Sequence, residues 1–186
     1  MRKKTLLVFP FLLFGLITYT QQHSLQVGGK LINNWTFYNG SAIGFGGQFV
    51  YRLTKHSGLE TGLYYYNRPR DYTTTVYYGN TMSTYDFGVN ERRLLMPLFY
   101  RFESKIVNFS AGPVLDYFIG WKQTDGLVQV NSYSNSAIQV TGSAGVSKSF
   151  YLTPTLIIEP EVMFNYIFAE DDGAIGLNLC VRKKIF

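Results

Sequence analysis

The sequence predicts an all-β chain folded as an eight-stranded antiparallel transmembrane β-barrel, an up-and-down meander. Apolar residues recur at every second position in eight segments, whereas helical periodicity never persists beyond two turns. Strands of soluble sandwiches are typically about five or six residues long, and several of these segments are longer. Their lengths match the ~9–11 residues that a tilted strand needs to cross a bilayer. Charged residues form only 16% of the chain and aromatic residues 17%, which is unusual for a soluble or a disordered protein.

The first twenty residues predict a secretory signal peptide. Arg2, Lys3 and Lys4 precede an uncharged apolar run at 6–17, which is too short for a spanning helix of about 20 residues. We expect the signal to occupy 1–20 and the barrel domain 21–186; a retained N-terminal anchor helix is the alternative. Without these three basic residues the formal charge falls from +5 to +2, and no basic stripe indicates binding of nucleic acid.

The first four predicted strands span 25–31, 43–53, 60–66 and 93–102. In each, large apolar residues alternate with glycine, polar or charged residues, so that one face is apolar and the other is not. Neighbouring residues that represent the two faces are Leu31 and Lys30, Phe45 and Gly46, Leu63 and Gly62, and Tyr100 and Arg101.

The last four predicted strands span 107–121, 138–147, 156–168 and 175–182, with the same alternation. Representative neighbours are Leu115 and Asp116, Val140 and Thr141, Val162 and Glu161, and Leu179 and Cys180. The predicted connections 54–58, 103–105 and 150–155 are tight, whereas 34–42, 68–86 and 122–136 are longer and polar; 169–174 is short and acidic. Short turns at one end, longer loops at the other and an even strand number are typical of the bacterial outer membrane.

The polar face predicts a lumen filled by ion pairs. An eight-stranded barrel is only wide enough for side chains to fill, and this face mixes glycines with long charged residues. Five basic and four acidic residues nearly balance, as a buried network requires. We expect a plugged barrel; a polar lumen that passes small solutes is the alternative. The predicted lumen network is Lys30, Arg52, Glu60, Arg93, Arg101, Asp116, Glu159, Glu161 and Arg182.

The longest predicted loop, 68–86, is the candidate for binding a protein partner of the cell envelope. It is rich in tyrosine and hydroxyl residues, and tyrosine with Ser, Asn and Gly is an adaptable composition for recognition. The alternative is that the third and fourth strands extend beyond the membrane as a hairpin. The candidate residues are Arg68, Arg70, Tyr72, Tyr77 and Tyr78.

The residues predict neither catalysis nor a cofactor. His23 lies beside the predicted cleavage site and His56 in a tight turn, so neither is expected near a serine at the outer rim. Glu159 and Glu161 share a face and could form a carboxylate pair, but pairing with lumen arginines explains them better. The single cysteine, Cys180, excludes an intrachain disulfide and a multi-thiolate metal site. A lipid-modifying enzyme of the outer membrane and a soluble, lipocalin-like carrier are the alternative functions.

Two passages carry a family resemblance. Residues 91–102 (ERRLLMPLFYRF) and 109–117 (FSAGPVLDY) resemble the fourth and fifth strands of the PorT-like outer-membrane β-barrel family, and Glu159-Pro160-Glu161 resembles the acidic segment of its seventh strand. The resemblance implies a structural or surface-interaction role with a link to secretion or gliding machinery. The terminal Phe186 resembles the end of a signal read by the barrel-assembly machinery, so this machinery and outer-membrane lipid are expected partners.

Overall fold

The computed structural model describes residues 24–37, 40–78, 81–126 and 137–185. The predicted signal peptide and Phe186 lie outside these residues. None of these described residues forms a helix that could span a bilayer. Regular structure in these ranges consists of nine strands: β1 (Ser24–Thr36), β2 (Gly40–Arg52), β3 (Ser57–Tyr78), β4 (Thr81–Glu103), β5 (Asn108–Gly126), β6 (Ile138–Ser147), β7 (Phe150–Tyr151), β8 (Leu156–Ile167) and β9 (Asp172–Lys184).

Eight of these strands close into a ring. Strands β1 to β6 pair in chain order, β6 pairs with β8, β8 with β9, and β9 returns to β1, each pair antiparallel. The two-residue β7 pairs only with β8, beside the ring. The predicted eight-stranded antiparallel barrel is therefore confirmed. Strands that follow one another in the chain are therefore neighbours in the ring, with the short β7 lying between β6 and β8.

Strands β3 and β4 are much longer than predicted, at 22 and 23 residues. Their pairing runs from Ser57 opposite Phe102 to Tyr78 opposite Thr81, with a break beside Pro97. The predicted loop 68–86 is therefore wrong, and the alternative of an extended hairpin is correct. The apolar alternation stops near Tyr66, but the tyrosines and threonines that follow favour strands as strongly as aliphatic residues do.

The two ends of the barrel differ. The described chain ends, Ser24 and Ile185, and the turns 53–56, 104–107 and 148–155 lie at one end, which we call the terminal end. The opposite end, the hairpin end, carries the connections after β1, β3, β5 and β8. The predicted long loop 34–42 is also wrong, because β1 and β2 extend to Thr36 and Gly40. β5 likewise extends into the predicted loop 122–136, of which 127–136 lies outside the described residues.

The polarity of the barrel wall is inverted relative to that of a soluble protein. Leu31 of β1 is 59% exposed on the outer face, whereas the preceding Lys30 is 4% exposed inside. The cross-strand neighbours of Leu31, Phe45 and Leu179, are also exposed. Apolar side chains therefore form the outer surface, and charged side chains occupy the interior.

Glycines on the inner face of β2 make room for two tyrosine rings of β3. A Cβ at Gly46 would lie 2.6 Å from Cα and 2.7 Å from Cδ1 of Tyr64, and a Cβ at Gly44 would lie 2.8 Å from Cδ2 of Tyr66. Both tyrosines are buried. Side chains at positions 44 and 46 would collide with β3, so these inner positions of β2 require glycine.

Candidate functional site

Ion pairs fill the interior near the terminal end. Arg101 is the centre of this group: its Nη2 lies 2.5 Å from both carboxylate oxygens of Glu159, its Nη1 2.9 Å from Glu60 and its Nε 3.0 Å from Glu103. Lys30 Nζ lies 2.5 Å from Glu161 and 3.3 Å from Glu60. Arg182 pairs with Glu159, and Arg52 with Glu103. This terminal cluster contains four basic and four acidic residues: Lys30, Arg52, Arg101, Arg182, Glu60, Glu103, Glu159 and Glu161.

A second group of ion pairs lies towards the hairpin end. Arg93 donates from Nε to Asp116 at 2.5 Å and from Nη1 to Glu91 at 3.0 Å. Arg68 donates to Glu91 at 2.8 Å and to Glu170 at 3.1 Å. Arg70 also pairs with Glu170. This hairpin cluster contains three basic and three acidic residues: Arg68, Arg70, Arg93, Glu91, Asp116 and Glu170.

Glu170 closes the hairpin cluster from the turn between β8 and β9. Its Oε1 accepts hydrogen bonds from Arg68 and, at 3.0 Å, from Nε2 of Gln139. Partial burial on its own raises the pKa of Glu170, but the hydrogen bond from Arg70 and the positive charges of Arg68 and Arg70 outweigh it and hold the pKa below the usual value. Glu170 therefore links the β8–β9 turn to strands β3 and β6 through ion pairs and a hydrogen bond.

The structure places all nine residues of the predicted lumen network in these two clusters. It also corrects the position of Arg68 and Arg70, which were predicted on a surface loop: Arg68 is 1% exposed, and both arginines face the hairpin cluster. Tyr72 is half-buried and stacks on Phe87, with ring centroids 5.8 Å apart. Tyr77 and Tyr78 lie at the tip of β3, where side chains lie outside the described part of the chain.

Sequence reasoning missed Glu91, Glu103 and Glu170. Glu91 and Glu103 lie just outside the predicted fourth strand, so they were not assigned a face; in the structure β4 contains both. Their spacing from Arg93 and Arg101 is two residues, which puts each glutamate on the same strand face as an arginine. That spacing was the available signal. Glu170 lies in a turn, where no periodicity indicates a direction.

The carboxylates of Glu159 and Glu161 are engaged by neighbouring side chains. Glu159 is fully buried and, besides its arginines, accepts hydrogen bonds from Ser147 at 2.8 Å and from Ser149 at 2.5 Å. Glu161 accepts from Ser110 at 3.2 Å and from Asn178 at 3.0 Å. A general base needs a lone pair directed at substrate, whereas here the lone pairs bind neighbouring side chains.

Neither histidine chemistry nor a metal site is evident in the parts of the chain that the structure describes. His56 lies in the turn between β2 and β3, where Nδ1 is 3.0 Å from the backbone oxygen of Glu103. His23 lies outside the described residues. Among the residues in those ranges, no group of three or more His, Cys, Asp or Glu could hold a metal ion. Cys180 is buried on the inner face.

An apolar layer separates the two ionic clusters. Tyr64, Tyr66 and Ile32 pack with Leu95 on one side, and Phe99, Val114 and Met163 pack with Leu95 on the other. A cavity lies within this layer, bordered by Lys30 towards the terminal end and by Arg68 towards the hairpin end. The interior is thus a stack of charged cluster, apolar layer and charged cluster, with a chamber in the middle.

No protein-family model matches the sequence, and no curated protein matches it either. Three solved structures are similar in fold. Neisserial surface protein A is 17% identical with a TM-score of 0.45, over 88% of this chain and 97% of that one. The N-terminal β-barrel domain of Pseudomonas aeruginosa OprF is 14% identical (TM-score 0.44; 87% and 99% covered). Ail of Yersinia pestis, in complex with the heparin analogue sucrose octasulfate, is 12% identical (TM-score 0.42; 88% and 97% covered). At these values the likeness assigns no function.

Proposed function

We propose that this chain is a non-enzymatic outer-membrane β-barrel protein with a structural or surface-interaction role, delivered to the envelope by a cleaved signal peptide at 1–20. The observation that carries the proposal is the inverted polarity of the wall. Leu31, Phe45 and Leu63 are at least half exposed on neighbouring strands, while Lys30 and Glu60 are buried inside. Soluble monomers rarely expose a continuous apolar surface of this kind, which suits lipid instead.

The distribution of exposed aromatic residues supports a membrane location. Tyr51, Phe102 and Tyr151 lie on the outer face near the terminal end, and Trp35, Tyr117 and Tyr166 lie there nearer the hairpin end. Two such belts, one at each border of an apolar band, match the aromatic girdles of membrane barrels.

The class is tested by cell fractionation of a Gram-negative host that expresses the full chain. We expect the protein to sediment with outer membranes, to require detergent for extraction and to migrate faster on gels before heating than after. Recovery of folded protein from the periplasm without detergent would instead identify a soluble, lipocalin-like carrier and reject the proposal.

The surface-interaction role rests on the β3–β4 hairpin. Pairing of β2 with β3 ends at Ile43 opposite Asn67, so among the described residues the edge of β3 beyond Asn67 has no neighbouring strand on the β2 side. Lysine and proline on an edge strand hinder pairing with another chain. This edge has no lysine and its one proline is Pro69, so it is suited to adding a strand from a partner. We propose that an envelope protein binds here through an extended segment.

Pull-down from intact envelopes tests this interaction. The variant Thr75→Lys places a charge on the β3 edge of the hairpin. Thr84→Lys places the same charge on its cross-strand partner at the opposite edge of the hairpin, on β4, whose described pairing with β5 ends at Phe87. We expect Thr75→Lys to lose the captured partner while Thr84→Lys retains it. Equal capture by both variants would reject strand addition at this edge.

A link to secretion or gliding machinery rests on the resemblance of 91–102 and 109–117 alone, and requires that the captured partner belong to such machinery.

The alternative of a lipid-modifying enzyme would need Glu159 and Glu161 as catalytic residues. Both are buried and fully occupied by ion pairs and hydrogen bonds, so this alternative is disfavoured. Conversion of each to glutamine, with lipid modification measured in the envelope of the same host, tests it: loss of a modification while the barrel remains folded would favour the enzyme.

A further inference from the structure

We propose that the chamber between the two ionic clusters binds a small uncharged molecule with an apolar body and a hydroxyl or amide group. The chamber has a cavity volume of about 60 Å³, several times the ~10–15 Å³ that one water needs. It is therefore large enough for a small ring or for several waters, and the chemistry of its lining decides between them.

Four polar groups on the chamber lining lack hydrogen-bond partners. These are Oδ1 of Asn34, Oδ1 of Asn178, the hydroxyl of Tyr64 and Nδ2 of Asn165. The first three residues are more than nine-tenths buried. An unsatisfied buried polar group costs about 1–3 kcal/mol, so four of them around one cavity indicate that something occupies it.

Asn34 and Asn178 each use the side-chain nitrogen in a hydrogen bond, and this fixes the side-chain oxygen near Gly176. Nδ2 of Asn34 donates to the hydroxyl of Tyr66 at 3.1 Å, and Nδ2 of Asn178 donates to Glu161 at 3.0 Å. Both free oxygens lie above Gly176 of β9: a Cβ on this glycine would be 2.0 Å from Oδ1 of Asn34 and 3.5 Å from Oδ1 of Asn178. The two acceptors would share a hydroxyl or amide donor from the bound molecule.

Another part of the chamber wall is apolar, and the charged lining residues Lys30, Arg68 and Asp116 are each held in an ion pair. Leu95 and Phe99 of β4, with Val114 of β5, lie across the barrel from β9, and Met163 extends the apolar surface from β8. Water in this half would lack the two to four polar partners that ordered water needs. The chamber therefore combines unpaired polar groups on Asn34, Tyr64, Asn165 and Asn178 with an apolar surface of Leu95, Phe99, Val114 and Met163. This combination matches an amphipathic molecule better than a water cluster.

The bound molecule is uncharged because the three charged residues that line the chamber, Lys30, Arg68 and Asp116, are already held in ion pairs. The terminal cluster pairs four basic with four acidic residues and the hairpin cluster three with three. An added ion would be buried without a counter-charge, which costs several kcal/mol.

Methyl NMR of the purified full-length protein in deuterated detergent tests the proposal, with benzyl alcohol as the probe. The methionines provide internal controls: Met163 lines the chamber, Met96 is exposed on the outer face and Met82 is exposed on the hairpin. We expect benzyl alcohol to shift the Met163 methyl signal with saturation, while Met96 and Met82 only drift linearly as the probe enters the micelle. Toluene, which lacks the hydroxyl, should bind at least about tenfold more weakly.

Two matched variants locate the binding. Ala174→Phe fills the chamber, whereas Ala111→Phe adds the same ring on the outer face. We expect the first to abolish the saturable shift and the second to preserve it. The proposal is overturned if Met163 responds no more than Met96, if Ala174→Phe leaves the shift unchanged, or if Met163 shows contacts to water without any response to benzyl alcohol. Should Ala174→Phe fail to fold, the comparison with toluene in the unchanged protein decides.

Discussion

Nη2 of Arg101 lies 2.5 Å from both carboxylate oxygens of Glu159, joining β4 to β8 across the lumen. Two strands, β5 and β6, separate β4 from β8 in the ring. We predict that Arg101→Met lowers the free energy of unfolding by about 3–5 kcal/mol, because it leaves Glu159 and Glu60 short of a buried counter-charge. Urea titration in detergent, followed by tryptophan fluorescence, measures the change.

The matched control for that variant is Arg52→Met. Arg52 pairs with Glu103, but its side chain is 23% exposed near a turn. Solvent screens such a pair, so we expect a loss of about 1 kcal/mol or less. Equal losses for the two variants would mean that the Arg101 contacts add nothing beyond an ordinary rim salt bridge.

The outer face should respond to charge according to depth. We predict that Leu31→Arg, midway along β1, lowers the free energy of unfolding in lipid vesicles by about 2–4 kcal/mol, whereas Leu152→Arg in the turn after β7 costs about 0–1 kcal/mol. Both leucines are about equally exposed, at 59% and 60%. Exposure alone therefore predicts equal effects, and only a surrounding bilayer makes them differ.

Adjacent glycines of β2 provide a test of the tight inner wall. A Cβ at Gly46 would lie 2.0 Å from the backbone oxygen of Leu63, whereas nothing lies within 4 Å of a Cβ at Gly47. We predict that Gly46→Ala destabilises the barrel by about 1–3 kcal/mol through overpacking and that Gly47→Ala is neutral. Folding efficiency into detergent, measured by the fast-migrating band before heating, would show both effects.

The contacts of Glu170 with Arg68, Arg70 and Gln139 should break in acid. Its pKa is held below the usual glutamate value, so the folded state favours the ionised form; this stabilisation is complete above the usual value and is lost as the pH falls through the lowered one. We predict that the Gln139 side-chain amide signal, followed by NMR, changes over that acid range. In Glu170→Gln the amide should show no such transition; an unchanged titration in the variant would assign it to another group.

The stacked interior predicts a barrel that does not conduct. Ions would have to cross the apolar layer of Phe99, Val114 and Met163 between the clusters, and each ion would leave its hydration shell there. We expect purified protein in planar bilayers to give no channels of defined size. Reproducible unit conductance would instead support the alternative of a lumen that passes small solutes.

Alternation of residue types predicted the eight strands of the ring, and it predicted the inner face for all nine residues of the network. It worked because glycines and charges share one face along each strand, as with Lys30 and Gly28 of β1. Strand ends were less predictable: the extension of β3 and β4 beyond Tyr66 and Arg93 contains Asn, Pro, Asp, Ser and Gly, which are also common in turns.

Cross-barrel partners could not be predicted from alternation. Arg101 meets Glu159 and Lys30 meets Glu161 because of how far neighbouring strands are offset, and a strand pattern contains no information on offset. The position of the chamber also depends on the offset between neighbouring strands. Asn34 and Asn178 are ordinary polar positions in the sequence, and only the closed ring brings their free oxygens to the same glycine.

These ion pairs join residues that are far apart in the sequence, and this affects how the barrel folds. Arg68 and Glu170 are 102 positions apart, and Arg101 and Glu159 are 58 apart. Such a high contact order makes folding slow, and a half-closed sheet would present unpaired arginines and glutamates to hydrocarbon. We expect insertion to be concerted, with the β1–β9 seam closing as the ions neutralise one another, so that partly inserted sheets do not accumulate.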